Sequence, residues 1–162
     1  MTVTNDQKRG LHRRVFLYLL HVFFVLRRGL TVGVRAIVRS EDGKFLLVRH
    51  TYTPGWHFPG GGVERGQSAE HALSLELLQE TGLRLSAAPI LHGAFHNCGI
   101  SKRDHVLVYL CEVEGSLAET KRNAEIAEIG FFGLGELPEE IEAGTLRRMR
   151  ELVECEAHSE TW

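Results

Sequence analysis

Apolar positions along the chain change period several times, and each change marks an element. Residues 11–28 are apolar on nearly every side, a pattern for one helix that must bury itself in its domain, a partner or a membrane surface. Residues 30–39 (LTVGVRAIVR) and 44–49 (KFLLVR) are rich in β-branched and apolar positions. The turn Ser40-Glu41-Asp42-Gly43 separates them, so the pair reads as a β-hairpin. Trp56-His57-Phe58 forms a short strand ahead of Pro59 and three glycines. Ser68 is placed to cap a helix that runs to about Thr81, where Gly82 stops it. His71 occupies the position where a reciprocal cap would need Glu or Gln. Ala72, Leu75 and Leu78 supply its apolar stripe. Residues 90–98, 106–113 and 129–132 read as further strands, and residues 145–155 as a closing helix. Strands interleaved with a few helices predict one mixed α/β layered domain over residues 30–162, with residues 1–29 as an N-terminal extension.

Composition leaves that picture intact. A chain of 162 residues that is 43% hydrophobic and 25% charged suits one globular domain with a real core. A formal net charge of −2 gives no electrostatic reason to expect a nucleic-acid polymer as partner. Cys98, Cys111 and Cys155 are odd in number and far apart, which suggests neither a disulfide framework nor a zinc site and fits a cytoplasmic protein. The strongly apolar part of the first helix, residues 15–26, would span about 18 Å. A bilayer core of about 30 Å needs about 20 residues, so a membrane span is not expected. Dimerisation, packing or contact with a membrane surface remain as uses for residues 11–28, the last making the protein peripherally membrane-associated.

Chemistry concentrates between residues 59 and 83. Glu76 and Glu80 lie four apart on the predicted helix and so share a face, with Gln79 beside them. Oxygen donors of this kind suit a hard divalent cation. The backbone of Gly60, Gly61 and Gly62 carries no side chains to hold a ligand away. Together these parts can set a cation against a diphosphate, although paired glutamates on a helix are more often a solvated face. Arg35, Arg39 and Arg49 on the first two strands could fork onto phosphate oxygens, and Trp56 could stack on a base. For each, an exposed strand arginine or a packed aromatic is the plainer reading.

In register, residues 61–83 resemble the Nudix box, a 23-residue loop–helix pattern of the form G-x5-E-x7-R-E-U-x-E-E-x-G-U. Gly61, Glu76, Leu77, Glu80, Gly82 and Leu83 match it. Gln67, Leu75 and Gln79 stand where the pattern has Glu, Arg and Glu. The resemblance covers residues 30–155 and leaves the first helix outside. It implies a Nudix-type α/β/α sandwich with a mixed sheet and an added N-terminal helix. It also implies a Mg2+- or Mn2+-dependent hydrolase that cleaves the diphosphate of a nucleoside diphosphate linked to another moiety. Glu76 would then be ligand or base and Glu80 the main metal ligand, joined by the Gly60 carbonyl. Gln79 would bring an amide oxygen without charge, and Glu125 or Glu128 could supply a further carboxylate. The three neutral substitutions also admit a second reading, a weak or inactive Nudix-fold module that binds a nucleotide or a protein.

Overall fold

A computed structural model of the chain describes residues 17–20, 23, 29–117 and 125–162. The chain divides into two compact units at Leu30/Thr31. In the first unit, residues 17–20 and 23 are helical, and Leu17, Tyr18 and Leu19 are exposed. Most of the helix expected over residues 11–28 lies outside the described residues. No helix among the described residues is long and apolar enough to cross a membrane.

The second unit is a mixed α/β domain. Its strands are β1 (Thr31–Val38), β2 (Phe45–His50), β3 (Trp56–His57), β4 (Arg84–Leu85), β5 (Ile90–His96), β6 (Asp104–Cys111), β7 (Val113–Glu114) and β8 (Ile126–Phe132). Helix α1 spans Ala69–Thr81 and α2 spans Ala143–Val153. The strands pair in the orders β1-β6-β5, β3-β2-β8 and β4-β7. β1 runs parallel to β6 over its whole length, from Thr31 opposite Asp104 to Val38 opposite Cys111, while β5 runs antiparallel to β6.

The expected β1–β2 hairpin does not form as a strand pair. The tight turn is there, with Gly43 N–H donating to the Ser40 carbonyl, but only an isolated Arg39–Phe45 bridge joins its two sides. β1 takes β6 as its partner, and β2 takes β3 and β8. Burial explains the choice. Successive strand residues point to opposite faces, and both faces of these strands are apolar. Val34, Ala36 and Val38 of β1 join Leu46, Tyr109 and Cys111 on one face, against Leu73 and Leu77 of α1. Ile37 joins Phe45, Leu47, Val106 and Val108 on the other, against Met149 of α2. A two-stranded hairpin could not bury both sets.

Helix α1 begins and ends where the sequence places it. The Ser68 hydroxyl accepts from His71 N–H at 3.2 Å, and Gly82 ends the helix in the left-handed region at φ 77°. Its buried face differs from the expected one. Ala72, Leu73, Leu77, Glu80 and Thr81 are buried, Leu75 is half-buried and Leu78 is exposed. Leucines occur on several sides of α1, so their spacing alone does not select a face; contact with β1 does.

Between β3 and α1 the glycine loop zips onto the free edge of β1. Val34 N–H donates to the Gly61 carbonyl at 2.9 Å, Ala36 N–H to Pro59 at 2.8 Å, and Val63 N–H to Val32 at 2.8 Å. Gly60 has a φ of 142°, and a Cβ there would lie 2.0 Å from the Val34 carbonyl oxygen. The neighbour is backbone and cannot rotate away. Gly60→Ala is therefore expected to destabilise the fold by about 2–3 kcal/mol, measured by chemical denaturation; stability equal to the parent chain would contradict this account of the loop.

Candidate functional site

The zipper delivers Gly60 to the helix. Its N–H donates to Glu80 Oε2 at 2.7 Å, across twenty residues of sequence. Glu80 is only 5% exposed, and burial pushes its carboxyl up to about 7. The Gly60 amide and Arg35 pull against that rise, while Glu76 and Glu125 add to it. The other carboxyl oxygen, Oε1, lies 3.3 Å from His50 Nε2. Burial, with the charges of Arg35 and His57, drops His50 to about 4. The pair is thus a neutral imidazole against a carboxyl that gains and loses its proton near neutrality, not an ion pair.

Arg35 occupies the centre of this arrangement. Its Nη1 donates to the Gly60 carbonyl, which fixes the loop from below. Its charge also holds down both Glu76 and Glu80. Glu76 lies directly over bare backbone: a Cβ on Gly61 would meet its Oε1 at 2.3 Å. Burial raises the Glu76 carboxyl, Arg35 opposes the rise, and Glu125 and Glu64 add to it. Tyr52 feels Glu125, Glu80 and Glu76 as well, and its phenol is raised by burial and by these charges. Carboxylates at 76, 80 and 125 therefore act on one region, and Arg35 is the cation that acts on it as well. Hard oxygen donors whose ionised forms are disfavoured by burial fit a divalent cation, whose charge would favour those forms.

The other expected residues are placed as follows. Arg49 and Glu128 face each other in the β2–β8 register and form an exposed ion pair, so each spends its charge on the other. The Arg expected on phosphate and the Glu expected on metal instead line a cleft of about 570 Å³ with Trp56, Phe132 and Glu139. Trp56 is buried and packs edge-on against Phe132, with ring centroids 4.8 Å apart. It is a core wall, not a free stacking platform. Arg39 lies over the Phe45 ring. Gln79 is on the exposed side of α1, next to Glu80. Gln67 accepts from the Glu64 N–H at 3.1 Å and so closes the loop ahead of the helix. Gly62 bridges to Gly33 and has open space where a Cβ would be.

Sequence reasoning misses His50 and names Arg35 only as a candidate for phosphate, not as a tie to the glycine loop. His50 stands out in the sequence only as a group that titrates near neutral pH. A bulge between Arg49 and His50 turns the end of β2 and sets the imidazole against Glu80. Arg35 is one strand arginine among three in sequence, and only the loop's return past β1 singles it out. Neither leaves a local signal.

The chain resembles known proteins over most of its length. The NUDIX domain family model matches residues 29–153. An ADP-ribose pyrophosphatase of Methanocaldococcus jannaschii is 33% identical over 112 residues, covering 66% of this chain and 64% of that protein. A MutT-like protein of Streptomyces ambofaciens is 30% identical over 90 residues, or 56% of each chain. The chain spans between 35% and 64% of the length of the first curated relatives it matches. Among solved structures, a MutT NUDIX hydrolase from Burkholderia pseudomallei superposes with a TM-score of 0.64 at 26% identity, covering 76% of this chain and 97% of that one. An ADP-ribose pyrophosphatase from Streptococcus suis gives a TM-score of 0.60 at 26% identity, covering 81% and 96%. With the α/β/α architecture, the glycine loop tied to Glu80 and a family match over three-quarters of its length, this chain belongs to the Nudix family.

Proposed function

We propose that the chain hydrolyses the diphosphate of a nucleoside diphosphate linked to another moiety, with Mg2+ or Mn2+ as cofactor. The observation that carries this reading is the convergence of Glu76 and Glu80, both raised by burial, on the Gly60–Gly61 backbone. Glu76, Glu80 and the Gly60 carbonyl would hold the cation, with Glu125 as a further carboxylate. When bound, the cation activates water and offsets charge on the phosphoryl oxygens. The chain's own contribution is placement. The Gly60 amide orients Glu80, Arg35 holds the Gly60 carbonyl, and the missing Cβ of Gly61 leaves Glu76 room at the loop. Relatives named as ADP-ribose pyrophosphatases support the substrate class at the level of the diphosphate bond. A second reading, nucleotide binding without turnover, draws on the neutral Gln79 where the box has a carboxylate.

The direct test is metal-dependent product release across a panel of nucleoside diphosphate derivatives, with Glu80→Gln as the control. The amide keeps an oxygen for the Gly60 N–H but loses the charge, so activity should fall about 100-fold or more while the fold survives. Metal-dependent binding of the panel with no turnover would favour the second reading. Gly61→Ala isolates positioning. The only clash is with the end of a flexible side chain, so thermal stability should change little while the rate falls about tenfold to a hundredfold. An unchanged rate would remove Glu76 from the reaction.

The raised Glu80 carboxyl also sets a pH dependence. Between its ordinary value of 4.5 and about 7, the folded metal-free protein keeps a proton that the unfolded chain has released. Metal-free stability should therefore fall as pH rises through that window and level off above it. Cation binding needs the ionised form, so Mg2+ affinity should rise over the same window and binding should release a proton. Calorimetry in buffers of different ionisation enthalpy measures that release; no proton release near neutrality would contradict the assignment of Glu80 as a ligand.

A further inference from the structure

On the other face of the sheet, α2 and the C-terminal tail enclose a second group of ligating side chains. Glu151, in the last turn of α2, is buried, and its two carboxyl oxygens have different surroundings. Oε1 accepts from Arg148 Nη2 at 2.6 Å and from the Ser159 N–H at 2.9 Å. Oε2 is buried with no hydrogen-bond partner. It faces His92 Nε2 of β5 at 3.8 Å and His158 Nε2 of the tail at 3.9 Å. His92 Nε2 is itself buried without a partner. The two imidazoles lie 4.7 Å apart by ring centroid, and one ligating atom from each of the three residues falls within 4.8 Å of the others.

These separations are too long for hydrogen bonds. They are close to what a shared ion requires. Ligand atoms bound at about 2.0–2.1 Å in tetrahedral geometry stand roughly 3.4 Å apart, so each histidine need move only about half an ångström toward Glu151 Oε2, while the two imidazole nitrogens, within 4.8 Å of each other, close in by up to about 1.4 Å. Two imidazoles and one carboxylate suit zinc or a neighbouring transition metal and do not suit magnesium, which prefers oxygen alone. The carboxylate is also oriented in the way ligating carboxylates are, through hydrogen bonds to its other oxygen. Arg148 supplies one of those bonds from a fully buried position, with its guanidinium 3.8 Å from the Phe95 ring centroid. The half-exposed His158 gives the ion a route in from solvent and leaves a fourth position for water.

We propose that His92, Glu151 and His158 form a zinc-type site, separate from the Glu76–Glu80 centre, that clasps the C-terminal tail to β5 and α2. Beyond the Ser159 N–H bond to Glu151, the tail is also held at its far end. His96 N–H donates to the Glu160 carbonyl at 3.0 Å, Trp162 N–H donates to the His96 carbonyl at 3.0 Å, and the Trp162 indole lies against Gly144 of α2. A metal at His158 adds a side-chain tie beside the Ser159 backbone bond, where the tail meets β5 and α2.

The test uses the full chain, stripped of metal with a chelator and saturated with Mg2+ to fill the hard-oxygen centre. Zn2+ is then titrated by calorimetry, and Co2+ is added as a spectroscopic probe. One equivalent of Zn2+ should bind and raise the thermal midpoint, and Co2+ should give the visible absorption of a tetrahedral site. His158→Ala, at an exposed position that leaves the fold intact, should weaken Zn2+ by about tenfold or more and abolish the Co2+ bands. His92→Gln should do the same, with folding checked by circular dichroism. Glu80→Gln should leave Zn2+ binding unchanged. The proposal is overturned if Zn2+ does not bind, if both histidine variants bind it as the parent does, or if only Glu80→Gln weakens it.

Discussion

The backbone of Pro59 to Val63 lies against the edge of β1 closely enough that Gly60 has no room for a side chain. That single approach organises the domain around it. It completes the environment of β1, which already has β6 on its other edge and apolar cores on both faces. It also sets the Gly60 amide where α1 can answer it with the Glu80 carboxyl. A helix that would otherwise rest on the sheet through leucines alone gains a directional tie. The tie is a buried hydrogen bond from a backbone N–H, and it becomes charge-assisted where the Glu80 carboxyl is ionised, above about pH 7.

The electrostatics follow from the same packing. Burial raises the Glu80 and Glu76 carboxyls, Arg35 opposes the rise in both, and Glu125 adds to it. The opposite face meets the same problem differently. There the buried Glu151 has a guanidinium on one oxygen, while its other oxygen looks toward two imidazoles. Two buried glutamates on two helices thus hold different donor sets: oxygen-rich at α1, and mixed nitrogen and oxygen at α2.

Much of this was legible in the chain. The cap at Ser68, the stop at Gly82 and most strand positions are local effects of side-chain chemistry on the backbone, and they recur in the structure. The 23-residue spacing placed Glu76 and Glu80 on one helix behind a glycine loop because helical periodicity is a property of sequence order. Less legible was anything that required choosing between equivalent candidates. Leu73 and Leu77, not Leu75 and Leu78, face the core. Arg35, not Arg49, reaches the loop, and Arg49 is instead paired with Glu128. Glu125 acts on the carboxylate group. Each choice depends on which strand lies beside which, and β1 and β2, adjacent in sequence, belong to different sheets.

By itself the sequence determined the elements, their ends, the loop–helix motif and the kind of ligand its oxygen donors suit. These are set over a few residues by backbone sterics, capping and helical period. Only the tertiary structure decided which charges meet. It joined Gly60 to Glu80, Arg35 to the loop, His50 to Glu80, and His92 and His158 to Glu151, across separations that no local pattern records. The reason is that burial gives a charge its energetic weight, and burial belongs to the packed chain, not to any one segment of it.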